Sequence, residues 1–247
     1  MLNFKDIIDP ISVEDFQKHY DAQQHFVIRG DKSRYEWIYN WNDFDKYMNG
    51  FPKNCGDLQI IAYNDNLRDK WCKRKMYDKE PLTKEQVYDL WKKGKTFILA
   101  LQEYQTPGMI KVCNAIEEYY GRGTANLYCS PVRDSVSFPT HADSTDNFLV
   151  HVEGSVKWTL YNEFGNPKHK NKRNGGVSQI EDREYTVMAE YELSAGDLLY
   201  IPRFQYHNAL ALEDRISISF HFNLDRHGLK RGKPVGRPPW NNWLYWK

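Results

Sequence analysis

The chain has 247 residues, 40% of them hydrophobic and 15% aromatic, enough for one domain with a sizeable core and small helical additions. A formal net charge of +1 weighs neither for nor against nucleic acid, and no apolar run approaches membrane-spanning length, so no membrane association is expected. The first residues carry charge without an apolar h-region, and Cys55, Cys72, Cys113 and Cys129 form no CxxC pair, which argues against a secretory leader, a zinc site or a disulfide framework and for reduced thiols in a cytoplasmic protein.

Residues 12–20 read as a short helix with Ser12 as N-cap and acids in the first turn. A strand over 26–30 stops at Gly30. Helices are predicted over 41–48 and 83–93, and strands over 57–63 and 96–104. Residues 107–120 carry an apolar stripe (Met109, Ile110, Val112, Cys113, Ile116) at helical spacing that ends at Gly121. After Gly123 the character changes. Segments 125–130, 135–138, 147–152, 156–161, 185–191, 197–201 and 215–223 are all strand-like. Residues 162–182 form a polar stretch with Lys168, Lys170, Lys172 and Arg173, read as a long solvated loop, either a tolerated insertion or a substrate lid. The expected organisation is a single domain over 1–224, with a helix-rich part at 1–123 and a β core at 124–224. A tail at 225–247 follows, with Arg226, Lys230, Arg231, Lys233 and Arg237 before Trp240, Trp243, Tyr245 and Trp246. Basic charge beside stacking rings is compatible with single-stranded nucleic acid. The alternative is that the tryptophans pack on the domain or on a second copy in a homodimer.

The chemistry-bearing pattern is His141-Ala-Asp143, with His207 far downstream. Spacing by two puts His141 and Asp143 on one side of an extended strand. Two imidazoles and a carboxylate cap one face of an octahedral Fe(II) and leave the opposite positions open for a cosubstrate and O2. His207 follows Gly196-Asp197-Leu198-Leu199-Tyr200-Ile201-Pro202, a turn and a short buried strand ended by proline, which sets the histidine at the mouth of a strand pair. Alone, an HxD triplet is common and a histidine is more often an ordinary core or surface residue. The downstream half makes the metal reading the stronger one.

The segment from Asn126-Leu127-Tyr128 through His141-Ala142-Asp143 and Asn147 to Gly154-Ser155-Val156-Lys157-Trp158, together with the 196–207 run and the N-terminal 12–30 segment, resembles the cupin-like JmjC oxygenases, in their ribosomal-oxygenase and asparaginyl-hydroxylase branches. The resemblance implies a mainly β fold with flanking helices around a double-stranded β-helix (jelly-roll, cupin) core. It also implies Fe(II), 2-oxoglutarate and O2, with release of succinate and CO2. Carried over by position, His141, Asp143 and His207 would ligate iron, while Asn126, Tyr128 and Asn147 match polar positions lining the cosubstrate pocket. A protein or peptide substrate is favoured by the same analogy over a small molecule. One position departs from the family. The Lys or Arg two residues after the Gly of Gly154, which holds the far carboxylate of 2-oxoglutarate in these branches, is Val156 here, and Lys157 points to the other face.

A substitute lies on the last strand, where alternation puts Arg215, Ser217, Ser219 and His221 on one face and Ile216, Ile218, Phe220 and Phe222 on the other. Arg215-x-Ser217 is similar to the Arg-x-Ser carboxylate clamp of other 2-oxoglutarate oxygenases, and His221 is expected to line the iron-side pocket. Trp158, Tyr200 and Tyr206 either shape a substrate groove or pack in the core. Two rival functions stand beside the hydroxylase. One is a metal-dependent cupin enzyme without 2-oxoglutarate, favoured by Val156. The other is a non-catalytic binding module that engages nucleic acid or a partner through the tail.

Overall fold

In a computed structural model of the chain, residues 2–50, 58–63, 71–75, 83–100, 102–120, 124–135, 139–165, 178–179 and 183–222 are described. The tail, the middle of the 162–182 loop and most of the 135–138 segment lie outside these residues, and Ser135 itself is not in a strand.

Helices form where side chains satisfy their orphan N–H groups. Nothing in the periodicity marks α1 (Phe4–Ile8), which is only five residues long. The Ser12 hydroxyl accepts the Asp15 N–H at 3.0 Å and opens α2 (Val13–Asp21). Asn40 caps α3 (Trp41–Asn49), and Thr83 with Gln86 makes a capping box on α4 (Lys84–Lys92). Helix α5 (Pro107–Tyr120) starts on a proline, whose missing N–H costs nothing there.

The strands are β1 (Phe26–Ile28), β2 (Leu58–Tyr63), β3 (Trp71–Lys75), β4 (Thr96–Leu99), β5 (Thr124–Ser130), β6 (His141–Asp143), β7 (Asp146–Glu153), β8 (Ser155–Phe164), β9 (Ser178–Gln179), β10 (Val187–Ser194), β11 (Leu198–Ile201), β12 (Gln205–Ala211) and β13 (Arg215–Phe222). They build two antiparallel sheets, a larger one in the order β1-β11-β7-β13-β5-β4-β2-β3 and a smaller one in the order β10-β8-β12-β6-β9. The result is a mostly β, cupin-like fold with flanking helices. All five α-helices among the described residues precede residue 124, yet the same segment also sends β1 to β4 into the larger sheet. The first half therefore extends the β layer as well as covering it.

Alternation along β7 and β13 sorts their residues to two interiors. Phe148, Val150 and Val152, with Ile216, Ile218, Phe220 and Phe222, pack toward the helices in one large core that includes Phe4, Phe16 and Tyr200. Burying each such side chain contributes roughly 1.5–3 kcal/mol. Leu149, Leu199 and Ile201 face the other way and meet Val156, Trp158, Leu160 and Leu193 of the smaller sheet. With both faces covered, every residue of β7 and β13 is buried. Tyr200 belongs to the helix-side core, where its hydroxyl donates to Asp146 at 2.9 Å, and Tyr206 is fully buried.

Two turns fix the register. Gly154, between β7 and β8, adopts φ +65°, and a Cβ there would stand 1.8 Å from the Asp214 carbonyl oxygen. Asp197, after Gly196, accepts the N–H groups of Ser194 and Gly30 and the Arg29 guanidinium, tying the β10–β11 turn to the end of β1.

Candidate metal centre

Strand β6 is three residues long, and its HxD sequence sets His141 and Asp143 on one face. In the β12–β6 pairing His207 lies directly opposite His141, and on its other side His207 pairs with Leu160 of β8. The β12–β8 register shifts between Gln205 and His207, the kind of irregularity that re-aims a side chain beside a site. Just before it, Phe204 takes φ +67° and donates its N–H to the Asp143 carbonyl at 2.6 Å, clamping the two ligand-bearing strands together.

His141 Nε2 lies 3.8 Å from Asp143 Oδ1, His207 Nε2 lies 3.8 Å from Asp143 Oδ2, and one potential ligand atom from each residue falls within 4.8 Å of the others. The two imidazole centroids are 4.5 Å apart. Each ring is held the same way. His141 Nδ1 faces the Pro139 carbonyl at 2.8 Å and His207 Nδ1 faces the Gln205 carbonyl at 2.8 Å. A carbonyl accepts only, so each Nδ1 carries the proton and each Nε2 presents a lone pair to the common centre, the arrangement typical of metal-bound histidine. Burial, reinforced by the neighbouring His141, pushes the His207 pKa well below the usual histidine range, which keeps that lone pair available at neutral pH. Two imidazoles and one carboxylate suit Fe(II) and its neighbours in the first transition row.

A small cavity opens on these three residues, lined also by Tyr128, Asn147, Leu149, Trp158, Ala209 and Ser219. Asn147 Nδ2 donates to Asp143 Oδ2 at 3.1 Å. Burial, with Asp143 nearby, raises the Tyr128 pKa, so its phenol stays protonated and able to donate. Asn126 and His221 do not line this cavity. Their side chains meet each other at 3.2 Å, and His221 also meets Thr145 at 3.0 Å.

Arg215 and Ser217 stand deeper on the interior face of β13. Arg215 is 1% exposed, and its Nη1 donates to Ser217 Oγ at 2.8 Å. Its Nε and Nη2 have no hydrogen-bond partner, and no carboxylate pairs with it among the described residues. Burial lowers its pKa to about 10, so the guanidinium remains charged at neutral pH. A lone buried cation is costly to keep, and this one lacks the partner that normally offsets the cost. Val156 is fully buried in the cluster between the sheets, whereas Lys157 points outward and pairs with Glu190 at 2.9 Å.

Two polar residues here escaped sequence reasoning. His151 bridges Ser217 Oγ, 2.9 Å from its Nδ1, and the Trp158 indole N–H, 3.2 Å from its Nε2. Burial first, then Arg215, push its pKa down to about 3. Its signal was present, because in the expected 147–152 strand it shares a face with Asn147 and Leu149. Thr145, in the bend between β6 and β7, carried none.

The cupin-like fold and the His-Asp-His cluster define a candidate metal-dependent oxygenase scaffold. The chain belongs to the JmjC domain family, whose model matches residues 100–228. It is 28% identical over 229 residues to the bifunctional lysine-specific demethylase and histidyl-hydroxylase NO66 of Dictyostelium discoideum, covering 88% of this chain and 42% of that protein. It is 24% identical over 226 residues to ribosomal oxygenase 1 of Gallus gallus, covering 87% of this chain and 35% of that protein. The chain thus spans less than half the length of both curated relatives. Among solved structures, the Escherichia coli ribosomal oxygenase YcfD in complex with cobalt and 2-oxoglutarate superposes with a TM-score of 0.57 at 14% identity, over 89% of this chain and 53% of that one. At that identity the likeness speaks for the fold.

Proposed function

We propose that this protein is an Fe(II)- and 2-oxoglutarate-dependent oxygenase that hydroxylates a protein or peptide side chain. His141, Asp143 and His207 would hold the metal, the two histidines by their Nε2 atoms and Asp143 by its carboxylate. Iron bound there supplies the oxidising chemistry, with 2-oxoglutarate and O2 as co-reactants and succinate and CO2 as by-products. The observation that carries the reading is the buried, carboxylate-free guanidinium of Arg215, on the interior face of the strand that also sends Ser219 into the metal cavity. A dicarboxylate with one end at the metal and the other on Arg215 and Ser217 satisfies both groups, and arginine recognises a carboxylate bidentately. Tyr128 and the unpartnered Ser219 hydroxyl add donors along the way. Leu149, Trp158 and Ala209 form an apolar wall that excludes water. The cavity has a volume of about 20 Å³, the room of a single water, so side chains must turn aside to admit the cosubstrate.

The names of the relatives support a protein or peptide as the substrate class. One is named a histidyl-hydroxylase and lysine-specific demethylase, the other a ribosomal oxygenase, so histidine-containing ribosomal peptides are the first substrates to test. The same proposal treats residues 1–224 as one catalytic unit and sets it inside the cell. Iron-dependent conversion of 2-oxoglutarate to succinate by the purified protein, stimulated by such peptides with a 16 Da gain in peptide mass, is the expected result. Buried Val156, in place of the cationic residue that the resemblance implies, favours a second reading, a metal enzyme that does not use 2-oxoglutarate. Iron binding without any succinate release would decide for it.

A further inference from the structure

The hydrogen bonds around His221 form a chain with one direction. The Asn147 amide N–H donates to Asp143 Oδ2, so its Oδ1 is left to accept, and the Thr145 hydroxyl donates to it at 3.3 Å. With its only proton committed, Thr145 Oγ1 must accept from His221 Nδ1 at 3.0 Å. His221 is then the Nδ1–H tautomer, and its Nε2 accepts the Asn126 amide N–H at 3.2 Å. Every donor points toward Asp143, an arrangement in which each bond polarises the next. The groups come from β5, β13, β7 and the 144–145 bend, so the larger sheet steers a carboxylate that sits on the smaller one.

Resting on the metal-centre reading above, we propose that Thr145 and His221 are positioning residues that hold Asp143 to one-oxygen ligation. Asp143 Oδ1 lies 3.8 Å from His141 Nε2 and Oδ2 lies 3.8 Å from His207 Nε2, so both oxygens face the cluster, and the Asn147 N–H occupies a lone pair of Oδ2. A carboxylate bound through both oxygens would fill a fourth position of an octahedral ion and leave two. A bidentate cosubstrate needs both of those, so O2 would have none. The relay that restrains Oδ2 thus protects the third open position. In this role Asn126 and His221 act through other side chains rather than by touching the cosubstrate.

The test is Mn(II) binding to the full chain by calorimetry, with thermal melting in parallel. Thr145→Val keeps the shape and removes the hydroxyl, Thr145→Ser restores it, and His221→Phe breaks the relay from the far end. The expected result is a rise of about 10–100-fold in the Mn(II) dissociation constant for Thr145→Val and His221→Phe, a typical loss for broken outer support. Thr145→Ser should stay near wild type, and the double variant should be no worse than either single one, because one chain is cut once. In either folded variant, wild-type Mn(II) affinity overturns the inference, as does failure of Thr145→Ser to rescue. Wild-type protein that binds no Mn(II) would instead sink the metal-centre reading itself.

Discussion

Arg215 and Ser217 sit two residues apart on β13 and are joined by a 2.8 Å hydrogen bond, with the rest of the guanidinium buried and unpartnered. Removing the cation should therefore strike the cosubstrate before it strikes the fold. Arg215→Ala is expected to raise the KM for 2-oxoglutarate about 10–100-fold, the loss of one charged hydrogen-bonded contact, with a smaller change in kcat. Steady-state succinate release against 2-oxoglutarate concentration measures it, and an unchanged KM would remove Arg215 from the clamp.

His141→Ala and Asp143→Ala should each abolish metal-dependent turnover while the melting temperature stays close to wild type. Both residues lie on a three-residue strand at the cavity rather than in either apolar cluster. Full activity in either variant would contradict the assignment.

Lys157 is the control. Its ion pair with Glu190 joins two partly exposed side chains on the outer face, and such pairs contribute little. Lys157→Ala is expected to shift stability by no more than about 0.5 kcal/mol and to leave the KM for 2-oxoglutarate unchanged. A selective rise in that KM would mean that Lys157, not Arg215, serves the carboxylate.

Gly154→Ala is expected to destabilise the protein by at least about 2 kcal/mol in urea unfolding, since a Cβ would meet backbone at 1.8 Å in a left-handed turn. The clash falls on Asp214, next to Arg215, so whatever protein remains folded should also show a raised KM for 2-oxoglutarate.

His151 should leave a mark on the acid limb of stability. Its folded pKa lies at about 3, below the ordinary histidine value of 6.5. The unfolded chain therefore binds a proton in that window while the folded one does not, and stability falls as pH drops from about 6.5 toward 3, by on the order of a few kcal/mol. His151→Gln, which can donate and accept in place of the ring, should flatten the profile relative to wild type in urea titrations across this range. Parallel profiles would show that His151 does not titrate this way.

What was legible in the chain follows from period two. Alternation alone set His141 with Asp143, sorted Arg215 and Ser217 away from Ile216 and Ile218, and sent Lys157 outward while Val156 turned in. The cap at Ser12 was readable because its partner lies three residues on, whereas Thr83, read as part of the helix over 83–93, caps it instead. Less visible were short elements such as α1 and β3, which hold too few residues to show a period. The sheet order was also hidden, since nothing local says that β4 pairs with β5 or that β1 pairs with β11. Alternation puts His151 on the face of Asn147 and Leu149, but its partner Ser217 lies 66 residues away, and Thr145 meets His221 across 76 residues with no local pattern to mark it.

Strand β13 has no idle side. One row of its side chains grips the helices and the other faces the interior between the sheets, so sliding it by a single position would push an arginine into the helix-side core and phenylalanines into the polar interior at once. For this strand the register that closes the helix-side core is also the register that presents Arg215 and Ser217 to the interior, so a slip that spoils one spoils the other, whereas a substitution confined to the inner row can spare the fold.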